Sequence, residues 1–277
     1  MNAQTQAVGR GIYVYCLARP ECLPVVNGLA EQDLRGVDER YCVTALEETG
    51  MVAVIGEVDM GDFCDQNLQA LPWVGPRAIR HEAVVERVMG ASPVLPIKFG
   101  TIFGSRTRLK EFLGRHREGI VRVLEELRDK AEWSVKGYLA EEQTRRMVSA
   151  SDPAIRSHAA ELSSSPGVRY LQQKKLDGLV DSALRVWLTR TSDDLCDMLA
   201  GHAVASAELR CHSGAVTGRP ERMVFNCSFL LDSGALSDFR AALSEQERAY
   251  EGAGLTLELR GPWPPYNFCP AFLEGAV

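Results

Sequence analysis

The stretch Trp133-Ser134-Val135-Lys136-Gly137-Tyr138-Leu139 alternates large apolar residues with small or polar ones. That two-residue period predicts a β-strand with one face partly exposed. A charged segment from Ala140 to Leu162 follows and is predicted to be helical, with a break at Asp152-Pro153. A long helix is predicted next, from Val168 to near Ala200. The stretch is therefore predicted to be a strand that is followed by helices.

The last third of the chain completes this pattern. Strands are predicted over residues 204–211 and 223–231, with a turn-rich segment between them. A helix is predicted from Leu236 to Tyr250, and Leu255–Leu259 alternates as a final strand. Counted from Trp133, the order is β-α-β-β-α-β. This is the order of the ferredoxin-like fold, in which a four-stranded antiparallel sheet carries helices on one face.

The first half of the chain predicts another unit of strands and helices. Its strand candidates are rich in β-branched and aromatic residues and cover Gly11–Leu17, Tyr41–Leu46 and Met51–Val58. The Pro- and Gly-bearing residues 20–36 are predicted to be a loop. A helix is predicted over Pro76–Met89, because its apolar residues recur at helical spacing. We expect helices to cover one face of this sheet.

The clearest helix of the sequence follows Ser105, a good N-cap residue. Its apolar face steps by three and four through Leu109, Phe112, Leu113, His116, Ile120, Val123, Leu124 and Leu127. An edge strand is predicted before it within residues 92–104, where prolines and glycines interrupt the apolar run. We therefore predict an α+β protein of two domains. Residues 1–130 form an N-terminal α+β domain, and residues 131–277 form a ferredoxin-like domain with extra helices and a Pro/aromatic tail.

Composition excludes several classes of protein. The 277 residues include 31 Lys and Arg against 37 Asp and Glu, a net charge of −6, and 45% are apolar. This apolar content is too high for a chain that is disordered throughout, and the acidic balance lacks the basic footprint of nucleic-acid binding. No apolar run reaches the length of a membrane span, and the N-terminus lacks the apolar core of a signal peptide. We expect a cytoplasmic protein that binds neither nucleic acid nor membrane.

Motifs that carry chemistry are missing from the sequence. It contains no phosphate-binding loop, dinucleotide-binding glycine motif or nucleophile elbow. His81-Glu82 begins like a zinc-binding H-E-x-x-H motif, but Val85 stands where the second histidine belongs. The eight cysteines form no C-x-x-C pair and are predicted to be buried free thiols. We therefore predict no enzyme activity, no catalytic residues, no metal and no cofactor.

The C-terminal strip Gly261-Pro262-Trp263-Pro264-Pro265-Tyr266-Asn267-Phe268 is more unusual. Its prolines hold the chain extended, and its aromatic rings offer a large contact area. Two interpretations stand open: a strap over the protein's own domain interface, which we favour, or a docking segment for another protein. In the second case the partner-binding residues are Trp263, Pro264, Pro265, Tyr266 and Phe268.

Four segments of the sequence together resemble one known family. They are Val94-Leu95-Pro96-Ile97-Lys98-Phe99-Gly100-Thr101-Ile102-Phe103, Trp133-Ser134-Val135-Lys136-Gly137-Tyr138, Ser165-Pro166-Gly167-Val168-Arg169-Tyr170-Leu171 and Gly261-Pro262-Trp263-Pro264-Pro265-Tyr266. Their content and order resemble the gas vesicle protein F/L (GvpF/GvpL) family. One departure is mild, since Ile97-Lys98 stands where members often carry Val-Arg.

The resemblance implies a non-enzymatic accessory or minor structural protein of gas vesicles, which are gas-filled protein shells that give cells buoyancy. It implies that the chain assists shell assembly and contacts the small, apolar major shell subunit and other accessory proteins. It carries over no catalytic or cofactor-binding residues. The competing interpretation, from the predicted fold alone, is a ferredoxin-like small-molecule-binding protein or enzyme.

Overall fold

The computed structural model describes residues 9–29, 35–214 and 218–270. The chain divides into two compact units, one made of Met1–Ala131 with Trp263–Val277 and the other of Glu132–Pro262. Each unit contains an antiparallel sheet with helices, so the predicted α+β class is confirmed. Our sequence-based division lies between residues 130 and 131 and leaves the tail in the second domain. We propose the two units as the domains, with the tail assigned to the first.

The sheet of the first unit contains five strands. In chain order they are β1 (Arg10–Ala18), β2 (Val43–Glu48), β3 (Met51–Asp59), β4 (Val94–Pro96) and β5 (Ile102–Phe103). They lie in the spatial order β2-β3-β1-β4, and β5 also pairs with β1. The pairing of β1 with β3 shifts register between Val14 and Cys16, so a bulge interrupts the central strand.

Four α-helices lie in the described part of this unit, and three of them contact the sheet. They are α1 (Leu23–Leu29), α2 (Asp65–Leu68), α3 (Leu71–Met89) and α4 (Arg106–Glu126). Both α3 and α4 contact β1, and every residue of β1 after Arg10 is buried. Because successive side chains of a strand point to opposite faces, both faces of the sheet must be covered. The expectation of helices on one face is wrong for this unit.

Two local predictions in the first unit also need correction. Residues 20–36 were predicted to be a loop, yet Leu23–Leu29 is helical and buries Val26 and Leu29. Helix α3 begins at Leu71, five residues before Pro76, because Pro72 suits the first turn and the loss of one hydrogen bond at Pro76 is tolerated near the helix start. At α1, burial of apolar side chains outweighs the local preference of Gly and Pro.

The second unit contains a four-stranded sheet with the spatial order β7-β8-β6-β9. Its strands are β6 (Lys130–Leu139), β7 (Ala205–Glu208), β8 (Arg222–Asp232) and β9 (Leu255–Trp263). The predicted sequence of strands is confirmed, although β7 is shorter than predicted. The ferredoxin-like description of this unit stays a prediction.

The helices of the second unit are α5 (Glu141–Ser151), α6 (Pro153–Ala160), α7 (Pro166–Ala200) and α8 (Leu236–Glu251). The predicted break is confirmed, because the Asp152 carboxylate accepts the backbone N–H groups of Ala154 and Ile155 at the start of α6. Helices α5, α6 and α7 share an apolar cluster, and Phe229 of β8 packs against Phe239 of α8 at 5.1 Å between ring centroids.

Helix α4 provides a direct test of the predicted core. Leu113 lies mid-helix and is buried, with only 1% of its surface exposed. We expect Leu113→Ala to lower the free energy of unfolding by about 2–5 kcal/mol, because truncation leaves a cavity in the first unit. Chemical denaturation measures this loss. Glu118→Ala, on the exposed side of the same helix, is the control and should change stability by less than about 0.5 kcal/mol. Equal losses in both variants would mean that the core is misassigned.

Candidate functional site

The C-terminal strip separates into buried and exposed residues. Trp263 ends β9 and keeps 39% of its surface exposed. Pro264 and Pro265 are buried, and Tyr266–Phe268 forms a short 3₁₀ turn whose side chains are partly accessible. The five residues predicted to bind a partner are therefore not one exposed surface. Trp263–Phe268 belong to the first unit, whereas Gly261 and Pro262 end the second.

Tyr266 anchors the strip through its hydroxyl group. The hydroxyl donates a hydrogen bond to Glu82 Oε2 at 3.0 Å and lies 3.0 Å from His81 Nε2. Both partners are neighbours on α3, 184 and 185 positions away in sequence. Burial raises the pKa of Tyr266, and the Glu82 charge raises it further. The phenol therefore keeps its proton and acts as a donor.

His81 connects the strip to the central strand of the sheet. Its imidazole is 3% exposed, and its Nδ1 lies 2.8 Å from the hydroxyl of Tyr13. Burial lowers the pKa of His81 to about 4, against a smaller opposing effect of a hydrogen bond to the Ile97 backbone. The ring is therefore neutral at physiological pH and has one N–H donor and one acceptor nitrogen.

The partners of His81 determine which nitrogen carries its proton. The Tyr266 hydroxyl donates its proton to Glu82, so it can act only as an acceptor toward His81. His81 Nε2–H therefore donates to the Tyr266 oxygen. Nδ1 is then the acceptor of the Tyr13 hydroxyl proton. The Gly100 backbone N–H in turn donates to the Tyr13 oxygen at 3.2 Å. These hydrogen bonds run in one direction from the Gly100 loop to Glu82.

Aromatic rings surround this chain of hydrogen bonds. The rings of Tyr13 and Tyr15 lie 4.9 Å apart, and the imidazole of His81 stacks on Tyr15 at 5.6 Å. The Tyr15 hydroxyl accepts the backbone N–H of Val37 at 2.8 Å. A Cβ atom at Gly36 would lie 2.3 Å from that oxygen, so only glycine fits there. The cluster thus holds two loops, helix α3 and the C-terminal strip against β1.

The sequence motifs alone did not reveal this cluster. The sequence His81-Glu82 lacks the second histidine of a zinc motif, and both side chains bond the hydroxyl of Tyr266 instead. No group of three or more His, Cys, Asp or Glu residues suited to a metal occurs among the residues that the structure describes. Four of the cavities on the described surface have volumes of about 290 to 550 Å³, and His81 lines none of these four, although Pro265 of the strip lines one. The arrangement is suited to fastening the strip.

An apolar surface lies on the outward face of α3. Leu71 and Ile79 are 78% and 72% exposed, and they stand two turns apart on one side of the helix. We call this surface the α3 stripe; its residues are Leu71, Pro72, Gly75, Pro76 and Ile79. The opposite side of α3 buries Val84, Val85 and Val88 in the core. Helix α3 therefore has apolar residues on two opposite faces, of which one contacts solvent.

Among the residues that the structure describes, no helix is both long enough and apolar enough to cross a membrane.

Comparisons with known proteins agree on one family. The family model described as "Gas vesicle synthesis protein GvpL/GvpF" matches residues 11–270. Gas vesicle protein L of Streptomyces sp. (strain CB03234) is 28% identical over 92% of this chain and 91% of its own length. Gas vesicle protein F1 of Halobacterium salinarum is 24% identical over 93% of this chain and 92% of its own length. The crystal structure of GvpF from Anabaena sp. PCC7120 matches with a TM-score of 0.71 and 18% identity, covering 95% of this chain and 99% of that one.

The Tyr266 hydroxyl can be removed without altering the shape of its ring. We expect Tyr266→Phe to lower the free energy of unfolding of the first unit by about 1–3 kcal/mol, because it removes the hydroxyl that bonds both His81 and Glu82. Tyr170→Phe, at an exposed tyrosine of α7, is the matched control and should have almost no effect. Chemical denaturation of both variants measures the difference. Equal stabilities would show that the hydroxyl does not anchor the strip.

His81 also predicts a pH dependence of stability. Its pKa is about 4 in the folded protein and near 6.5 when unfolded, so the unfolded state takes up the proton first as the pH falls. Stability contributed by neutral His81 is complete above pH 6.5 and is lost toward pH 4. Between pH 7 and pH 5 we expect a loss of about 2 kcal/mol.

The contribution of His81 is isolated by comparing variants across the same pH range. His81→Gln should reduce the loss of stability between pH 7 and pH 5, whatever its stability at pH 7. The partly exposed His158 lies outside the cluster, and His158→Gln should keep the pH dependence of the unmodified protein. An unchanged slope in His81→Gln would contradict the neutral, buried state of His81.

Proposed function

The chain belongs to the gas vesicle synthesis protein GvpL/GvpF family, and from this membership we propose that it assists assembly of the gas vesicle shell by binding the apolar shell subunit. The observation that carries the proposal is the family match over residues 11–270, which covers both structural units. A gas vesicle role follows from the family itself. We propose further that the protein acts in the cytoplasm, in association with the vesicle and other accessory proteins.

The physical need for such a protein comes from the shell. A shell that excludes liquid water must present an apolar inner face, and its free subunits are prone to aggregate through that face and through unpaired strand edges. A partner that covers apolar surface before assembly keeps the subunit available for ordered addition. We propose binding as the whole activity, without catalysis and without a cofactor.

We propose the α3 stripe as the surface that contacts the shell subunit. Its two large side chains, Leu71 and Ile79, are the most exposed large apolar residues among those that the structure describes. Removing such side chains from water on binding is favourable by roughly 1.5–3 kcal/mol each. The rigid attachment of α3 to the sheet, through Val84, Val85 and Val88, means that little conformational entropy is lost on binding.

The C-terminal strip enters this proposal in two roles. Pro264, Pro265 and Tyr266 fasten the strip to the first unit, and Phe268 belongs to the same 3₁₀ turn. Trp263, with 39% of its surface exposed, is the member of the strip best placed to add a contact with a partner. We therefore propose Trp263 as a secondary contact.

A double variant tests the α3 stripe. We expect Leu71→Ser with Ile79→Ser to keep the melting temperature within a few degrees, since both side chains are exposed. The same variant should lower the affinity for the shell subunit by about tenfold or more, because about 1.4 kcal/mol corresponds to a factor of ten. Co-expression with the shell subunit, followed by measurement of soluble subunit and vesicle yield, reports the effect.

The matched control places the same substitutions on another exposed apolar site. Val168→Ser with Leu171→Ser alters exposed residues of α7 in the second unit, and it should leave capture of the shell subunit unchanged. Trp263→Ala should weaken capture less than the α3 variant does. If the α3 variant captures the subunit as well as the control does, the stripe is not the binding surface. If the unmodified protein fails to keep the subunit soluble, the proposed function is wrong.

A further inference from the structure

Two free thiols of the second unit lie in contact. Cys196 Sγ on α7 and Cys227 Sγ on β8 are 3.4 Å apart, although the residues are 31 positions apart in sequence. Cys227 is fully buried, whereas Cys196 is partly accessible to solvent. A sulfur–sulfur bond is about 2.05 Å long, so the two atoms need to approach by about 1.4 Å. Small rotations about the two Cα–Cβ bonds provide a movement of that size.

The elements that carry the thiols are both packed into the core of the second unit. Near Cys196, α7 buries Leu195 and Leu199, and β8 buries Phe229 beside Cys227. The backbone positions of both cysteines are therefore set by apolar packing, independently of the sulfur contact. The thiols stay neighbours for as long as the unit is folded, which gives each a high effective concentration toward the other.

We propose that Cys196 and Cys227 form a reversible intramolecular disulfide when the protein meets hydrogen peroxide or another small peroxide. This modification is separate from the proposed binding of the shell subunit, because it involves residues of α7 and β8 and none of the α3 stripe. A disulfide here would covalently join α7 to the central part of the sheet of the second unit.

The chemistry proceeds in two balanced steps. The Cys196 thiolate attacks one peroxide oxygen, so that an S–O bond forms, the O–O bond breaks, and the released hydroxide takes up a proton to become water. The Cys227 sulfur then attacks the sulfur of the resulting sulfenic acid. The S–S bond forms, the S–O bond breaks, and the departing hydroxide leaves as water with the Cys227 proton. Two thiols lose two electrons in total, and one peroxide is reduced to two waters.

The surroundings of the two thiols assign the order of these steps. Peroxide can reach the partly accessible Cys196 from solvent, whereas Cys227 is buried and has no contact with solvent. Burial raises the pKa of Cys227, and its contact with Cys196 and the charge of Glu208 act in the same direction. Cys227 is therefore a poor first nucleophile and is suited to the second step, in which the electrophilic sulfur already touches it.

Mapping of thiols in the full-length protein tests the proposal. The protein is treated with one equivalent of hydrogen peroxide, alkylated and digested, and its cross-linked peptides are identified by mass spectrometry. We expect a peptide pair joined through Cys196 and Cys227, loss of two of the eight thiols, and no covalent dimer. Dithiothreitol should restore all eight thiols. The oxidised protein should melt several degrees higher than the reduced one.

Single variants separate the two roles. In Cys227→Ser, a sulfenic acid should persist at Cys196 and react with dimedone; in Cys196→Ser, Cys227 should stay reduced at the same peroxide dose. Cys211→Ser removes an exposed cysteine outside the pair and should form the disulfide normally. The mapping on unmodified protein needs no substitution, so it decides the question even if a variant fails to fold. If Cys196 and Cys227 both remain reduced while the exposed Cys42, Cys64 or Cys211 is oxidised, the proposal is overturned.

Discussion

The first unit depends on hydrogen bonds to both ring nitrogens of the buried His81. His81 points into an interior of aromatic and aliphatic side chains, where an unpaired polar atom costs about 1–3 kcal/mol. Its two nitrogens are satisfied by hydroxyl groups from opposite ends of the chain, Tyr13 on β1 and Tyr266 in the C-terminal strip. The central strand, helix α3 and the strip must therefore be in place together. The hydrogen bond between His81 and Tyr266 is one reason why the tail of the chain belongs to the first unit.

This anchoring has a consequence for α3. One side of the helix is held by valines and by the His81 hydrogen bonds, so the helix cannot rotate to bury its other apolar side. Leu71 and Ile79 consequently stay exposed, although water contact with them is unfavourable. A rigid helix with an unburied apolar stripe is a surface that other proteins use for docking. The same hydrogen bonds that stabilise the unit thus preserve the stripe.

The sequence predicted elements that carry a clear local signal. Helix α4 was predicted from its regular apolar spacing and its Ser105 cap, and the Asp152 cap marked the start of α6. Helix α1 was missed, because its glycine and proline argue against a helix and only tertiary burial of Val26 and Leu29 supports it. The contact of Tyr266 with His81 spans 185 positions, so no local pattern could reveal it. The family resemblance includes Tyr266, but it does not show that the hydroxyl of this residue contacts His81 and Glu82.

The protonation states in the aromatic cluster suit its side chains to a structural role. A general acid or base needs a pKa near the working pH and access to a substrate. The pKa of His81 lies near 4, and burial moves the pKa values of Tyr13 and Tyr266 upward, away from neutrality. None of these three groups changes its protonation state between pH 6 and pH 8. Each is hydrogen-bonded to another of the three inside the protein. A cluster in that state holds the fold together, and the contact that we propose with the shell subunit lies outside it, at the α3 stripe.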